Sequence, residues 1–164
     1  MPGGTILFSR GLLETAKSEA AVVGVLAHEL SHLDRQHQLL GLRRQKQVQQ
    51  KLNFANMISN LSEVMKPFHA EFESQADEDA VSWMLQFDYE PKALAALLLR
   101  WNAKQDAQQP WKDMMPGFLL THPDGGRRAD DVMKWREEKK QPSQDLHKGI
   151  ENLEKRKPRV NASP

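Results

Sequence analysis

Residues 27–37 read AHELSHLDRQH, and no other stretch limits more tightly what this chain can become. His28 and His32 stand four apart. On a helix both project from one face, so they can offer two imidazoles to one ion. Glu29 lies about 100° round from His28, near enough to reach a water on that ion and displaced from the place of a third ligand. The flanks predict the helix. Ser18 is a good N-cap with Glu19 in the first turn. Val22, Val25, Leu26, Leu30 and Leu33 then recur at helical spacing and carry the helix to about His37. The apolar run before His28 makes it a buried helix, and polar His, Glu and His on such a helix cost free energy unless paired. A metal pairs them.

The chain has no cysteine, so any zinc must be held by His, Asp or Glu. A catalytic zinc takes three protein ligands and keeps a fourth position for water. His37 is the nearest candidate in sequence. Five residues past His32, it would lie about 140° round a continued helix and face away. His69, just ahead of a later helix, is a second candidate. The better one is in EFESQADEDA, where Glu73 and Asp77 are four apart on one helical face. Glu73 can ligate the metal while Asp77 accepts a hydrogen bond from a ligand imidazole. The alternative for this pair is an exposed acidic turn.

The remainder reads as one domain of mainly helical type. The 164 residues suffice for a single core. Lys plus Arg number 23 against 22 Asp plus Glu, a net charge of +1 that gives no reason to expect a nucleic acid or an anionic membrane. No apolar run approaches the ~18 residues of a membrane span, and no export signal is visible, which suggests a truncated domain or a late start. TILFSR, from Thr5 to Arg10, is the one evident strand, so any sheet is small or incomplete. Further helix is expected over residues 38–66, with Pro67 as a break, then from Glu71 to Leu85, from Pro91 and from Arg127 to Lys139. Residues 1–140 make the expected domain. Residues 141–164, polar and mixed in charge, are expected as a flexible tail.

Four pieces of the sequence, in order, resemble the M48 family of zinc metallopeptidases, the group of Ste24-, HtpX-, Oma1- and BepA-like enzymes. GGTILFSRGLL is similar to the family's Gly-Gly strand and Gly-Leu-Leu. VLAHELSH resembles its zinc helix, ESQAD its third-ligand motif, and THPDGGRR its Thr-His-Pro motif with an arginine six residues after the His. FDYEP is similar to a common family turn. The resemblance implies His28, His32 and Glu73 as ligands of one Zn²⁺, Glu29 as general base, Asp77 behind a ligand, and His122 and Arg128 as active-site groups.

The expectation is therefore an α+β, predominantly helical, zincin-like domain with a small sheet, acting as a metalloendopeptidase on polypeptides. The substrate would extend along residues 5–10, and misfolded or unassembled proteins would be its targets. The resemblance places such soluble relatives in the periplasm or at a membrane. A binding or chaperone-type module that keeps the fold with little turnover is the rival from another class.

Overall fold

The computed structural model describes residues 5–51, 57–107, 125–142 and 144–149. Among them lie six helices: α1 Arg10–Thr15, α2 Glu19–Asp34, α3 His37–Lys51, α4 Met57–Gln86, α5 Lys92–Ala107 and α6 Gly125–Lys139. The fold is predominantly helical, as expected. Helices α2, α4, α6 and α5 pack in that cyclic order, each on the next, and α3 lies on α4. Val25, Val81, Met84, Leu94, Leu97, Leu98 and Val132 fill the space between them.

Alanines at 20, 21, 76 and 80 let α2 and α4 approach closely, and all four are fully covered. Gly24 matters most. A Cβ there would stand 2.9 Å from Leu94 Cβ and 3.1 Å from Met84 Sδ, so only glycine admits α5 and α4 at this distance.

The first three N–H groups of α2 all have acceptors. Such groups have no partner inside the helix. Ser18 Oγ accepts from Ala21 N at 3.2 Å, the Lys148 carbonyl from Ala20 N at 3.0 Å and the Gly149 carbonyl from Glu19 N at 3.3 Å. Residues 144–149 thus lie on the body of the domain, which corrects the expectation of a flexible tail for these six residues. Their composition is polar, yet side chains as well as backbone carbonyls make the contacts: the Gln144 amide donates to the Leu85 carbonyl and to Asp88 Oδ1, and Leu146 packs on the core. Tyr89 and His147 add an isolated parallel bridge, the one β pairing among the described residues.

Two other expectations change. Residues 5–9 join no ladder among the described residues, and Arg10, expected at the end of a strand, opens α1. β-propensity reports fit against a neighbouring strand; none is described here, and Ser9 caps α1 by accepting from Leu12 N. Pro67 does not end a helix either. α4 runs through it from Met57 to Gln86, because a proline removes one hydrogen bond and neighbouring turns can carry the backbone past it.

Left-handed residues end α2 and α4. Gln36, at φ 55°, stops α2 and restarts the chain as α3. Asp88, at φ 57°, closes α4 in a Schellman arrangement, with Tyr89 N donating to Met84 O at 2.8 Å and Asp88 N to Leu85 O at 3.2 Å. The FDYEP turn then delivers Glu90. Its carboxylate accepts from Lys92 N at the start of α5 and from Arg136 on α6 at 2.6 and 2.9 Å. Among the described residues no helix is long and apolar enough to cross a membrane.

Candidate metal centre

Helix α2 brings His28 and His32 to the face that meets α4, and α4 brings Glu73 and Asp77 to the same place. His28 and Glu73 are buried, and only 11% of the His32 side chain is exposed. His28 Nε2 lies 3.0 Å from His32 Nε2 and 3.5 Å from Glu73 Oε2, and His32 Nε2 lies 3.3 Å from Glu73 Oε1. A tetrahedral zinc with bonds of about 2.0–2.1 Å sets its ligand atoms about 3.3–3.4 Å apart. The separations, taken to Oε2 of Glu73 from His28 and to Oε1 from His32, bracket that value, so the carboxylate and the two imidazoles lie at a spacing compatible with such an ion.

The donor chemistry fits as well. His28 Nδ1 is 2.9 Å from Asp77 Oδ1, so the nitrogen turned away from the cluster has an acceptor. Asp77 accepts from Arg128 Nε and Nη2 at 2.7 and 2.8 Å, and Arg128 Nη1 lies 2.9 Å from Glu73 Oε2. The Arg128 guanidinium is thus engaged by Asp77, behind His28, and by Glu73 in the cluster itself. Burial would lower its pKa, but Asp77, Glu73 and the charge of nearby Glu29 raise it. Against this one fixed cation stand the carboxylates of Glu29, Glu73 and Asp77. Their sum is a deficit of two positive charges, which a divalent ion supplies.

Without an ion, protons take part of that place. Burial alone would depress His28, but its hydrogen bonds to Asp77 and Glu73 outweigh burial and raise it to about 9. Burial likewise would raise Asp77, and Arg128 with His28 holds it below the ordinary carboxylate value.

Sequence spacing misplaced one residue. His37 does not face away. The left-handed Gln36 breaks the helix, and α3 starts with the His37 ring turned back, its Nδ1 2.9 Å from His32 Nδ1. His37 is buried, stacked on Phe72 at 4.4 Å and 11°. Burial pushes its pKa down, only partly offset by Gln75. A second missed group fixes the register of α2 on α4: Asp79 accepts from Ser31 Oγ at 2.6 Å and from Arg35 at 2.5 and 2.8 Å. The acidic run after Asp77 was the available signal for it. His122 and the His69 side chain lie outside the described residues.

The description of peptidase family M48 matches residues 1–136. The chain belongs to that family. It is 25% identical over 145 residues to the mitochondrial metalloendopeptidase OMA1 of Schizosaccharomyces pombe (strain 972 / ATCC 24843), an alignment covering 82% of this chain. The chain spans 42% of that M48 relative's length. Comparison with solved structures gives no match. In this M48 domain the three donor atoms that can hold a metal come from the two helices that carry its His-Glu-x-x-His and Glu-x-x-x-Asp spacings.

Proposed function

We propose that this domain is a zinc-dependent metalloendopeptidase, with His28, His32 and Glu73 holding one Zn²⁺. The spacing of their three donor atoms carries the reading. Bound there, zinc supplies Lewis acidity, lowering the pKa of a water to about 7 and polarising a carbonyl. Glu29, next to His28 on α2, takes the proton of the water that attacks the scissile carbonyl carbon. It returns that proton to the amine nitrogen as the C–N bond breaks. Asp77 keeps the His28 Nδ1 hydrogen engaged, so that Nε2 is free to ligate. Arg128 holds Asp77 and Glu73 in place from behind. His122 is assigned to the developing negative charge on the carbonyl oxygen, as a hydrogen-bond donor opposite the ion.

The substrate is read as an extended polypeptide. Thr5, Leu7 and Ser9 are exposed and alternate with more covered Ile6 and Phe8, a period of two that suits an extended segment. Main-chain pairing along residues 5–9, the part of the expected strand that precedes α1, would bind substrate with little sequence preference, which suits removal of misfolded or unassembled proteins. Periplasmic or membrane-associated work follows the same family reasoning.

The test is metal analysis of the purified chain together with hydrolysis of an unfolded protein such as casein. One zinc per chain and cleavage blocked by a chelator are expected. A metal-free chain, or cleavage indifferent to chelation, would sink the reading.

A further inference from the structure

His32 has a hydrogen-bonded support of its own, built differently from that of His28. We propose that Glu71, Gln75 and His37 form a chain that holds His32 as the Nδ1–H tautomer, making His37 the positioning residue for this imidazole. Its functional meaning rests on the reading of His32 as a metal ligand; the tautomer itself does not.

The argument starts at the outer end. An ionised carboxylate only accepts, so Gln75 turns its amide nitrogen to Glu71 and donates to Oε1 at 3.3 Å. That leaves Gln75 Oε1 facing His37 Nε2 at 3.1 Å. An amide oxygen cannot donate, so the hydrogen of His37 sits on Nε2 and its Nδ1 keeps a lone pair. The two Nδ1 atoms of His37 and His32 are 2.9 Å apart. With an acceptor on the His37 side, His32 Nδ1 must be the donor. In the neutral ring His32 Nε2 then carries no hydrogen, and its lone pair points into the space bounded by His28 Nε2 at 3.0 Å and Glu73 Oε1 at 3.3 Å.

The chain is held in place by packing. The His37 ring lies flat on Phe72, one residue before Glu73, so α4 supplies the ligand, the stacking surface and Gln75 together. The left-handed turn at Gln36 lets a residue five past His32 return to it. The two imidazoles therefore have unlike partners, an anion behind His28 and an uncharged imidazole behind His32. A second carboxylate at the His37 position would add another buried negative charge to a site whose excess of two already matches a divalent ion.

The test reads the tautomer directly, from nitrogen-15 shifts and two-bond couplings of the histidine rings, and zinc affinity separately, by competition with a chromophoric chelator. Wild-type protein should show His32 with its hydrogen on Nδ1 before zinc is added. His37→Phe keeps a ring on Phe72 and removes the acceptor. It should shift His32 towards Nε2–H and weaken zinc binding about 10–100-fold. His37→Asn, whose Oδ1 stands near the lost Nδ1, should recover most of both. Should His37→Phe fail to fold, Gln75→Leu, at a partly exposed position, should shift the same resonance with a smaller loss of affinity. The proposal is overturned if wild-type His32 carries its hydrogen on Nε2, or if the tautomer is unchanged in His37→Phe. Wild-type protein that binds no zinc would remove the metal reading alone, since the metal-free spectra still decide the tautomer.

Discussion

Arg128 donates to both oxygens of Asp77, from Nε to Oδ2 at 2.7 Å and from Nη2 to Oδ1 at 2.8 Å, and both residues are buried. This pair joins α6 to α4 directly behind His28. Removing one partner of a buried pair leaves an uncompensated charge, which costs about 3–5 kcal/mol. Arg128→Ala should lose that much in urea unfolding of the metal-free protein. Arg128→Lys should recover part, since it restores the charge without the fork geometry. A loss under about 1 kcal/mol would mean that Asp77 and Glu73 find compensation elsewhere.

Glu29→Gln keeps the shape of the side chain and loses its basicity. If Glu29 is the base and not a ligand, the variant should bind zinc with wild-type stoichiometry while casein turnover falls at least 10²–10⁴-fold, the usual contribution of general base catalysis. Loss of zinc from the variant would make Glu29 a ligand; unchanged turnover would take it out of the mechanism.

Gly24 tests the packing that sets α2 on its neighbours. A methyl group there meets Leu94 Cβ at 2.9 Å, and overpacking a core of this kind costs about 1–3 kcal/mol. Gly24→Ala should therefore lower the midpoint of thermal unfolding, despite the better helix propensity of alanine. A rise in the midpoint would show that α5 yields without strain.

Acid should act through Glu90. Burial alone would raise its pKa, but the hydrogen bonds from Arg136 and Lys92 N more than offset this, and the carboxyl sits below its usual value of 4.5. A depressed folded pKa gives stability that is present above the unfolded value and lost as pH falls through the folded one. The stability difference between wild type and Glu90→Gln should be largest near neutrality and shrink once pH falls below 4.5. A difference constant from pH 7 to pH 3 would assign Glu90 no titrating role.

What the sequence reveals follows from how far each inference reaches along the chain. His28 with His32 and Glu73 with Asp77 were legible because each pair lies within one helix, where spacing is geometry. His37 was not, because the angle reckoned from His32 assumed a helix that Gln36 ends. The run from Thr5 to Arg10 has strand propensity, yet a strand is a relation between two segments and composition names only one. Residues 144–149 were read as tail because their side chains are polar. Part of what holds them is the carbonyls of Lys148 and Gly149 over the start of α2, and no side-chain pattern announces a backbone acceptor. The partners of Arg128 were equally hidden, since 51 positions separate it from Asp77.

Zinc removal is the broadest test, because the cluster has opposite charge demands with and without the ion. With a divalent ion the excess negative charge of Glu29, Glu73 and Asp77 over Arg128 is matched. Without it, three carboxylates share the site with one guanidinium and the proton on His28. An ion that binds only the folded chain stabilises it by about 2.7 kcal/mol at a free concentration 100 times its Kd. Calorimetry in zinc-buffered solution should therefore show the unfolding midpoint rising with free zinc and falling on chelation. His28→Ala should flatten that dependence, because Glu73 and His32 alone leave the ion two protein ligands. A midpoint indifferent to zinc in wild-type protein would show that the three donor atoms, for all their spacing, do not hold it.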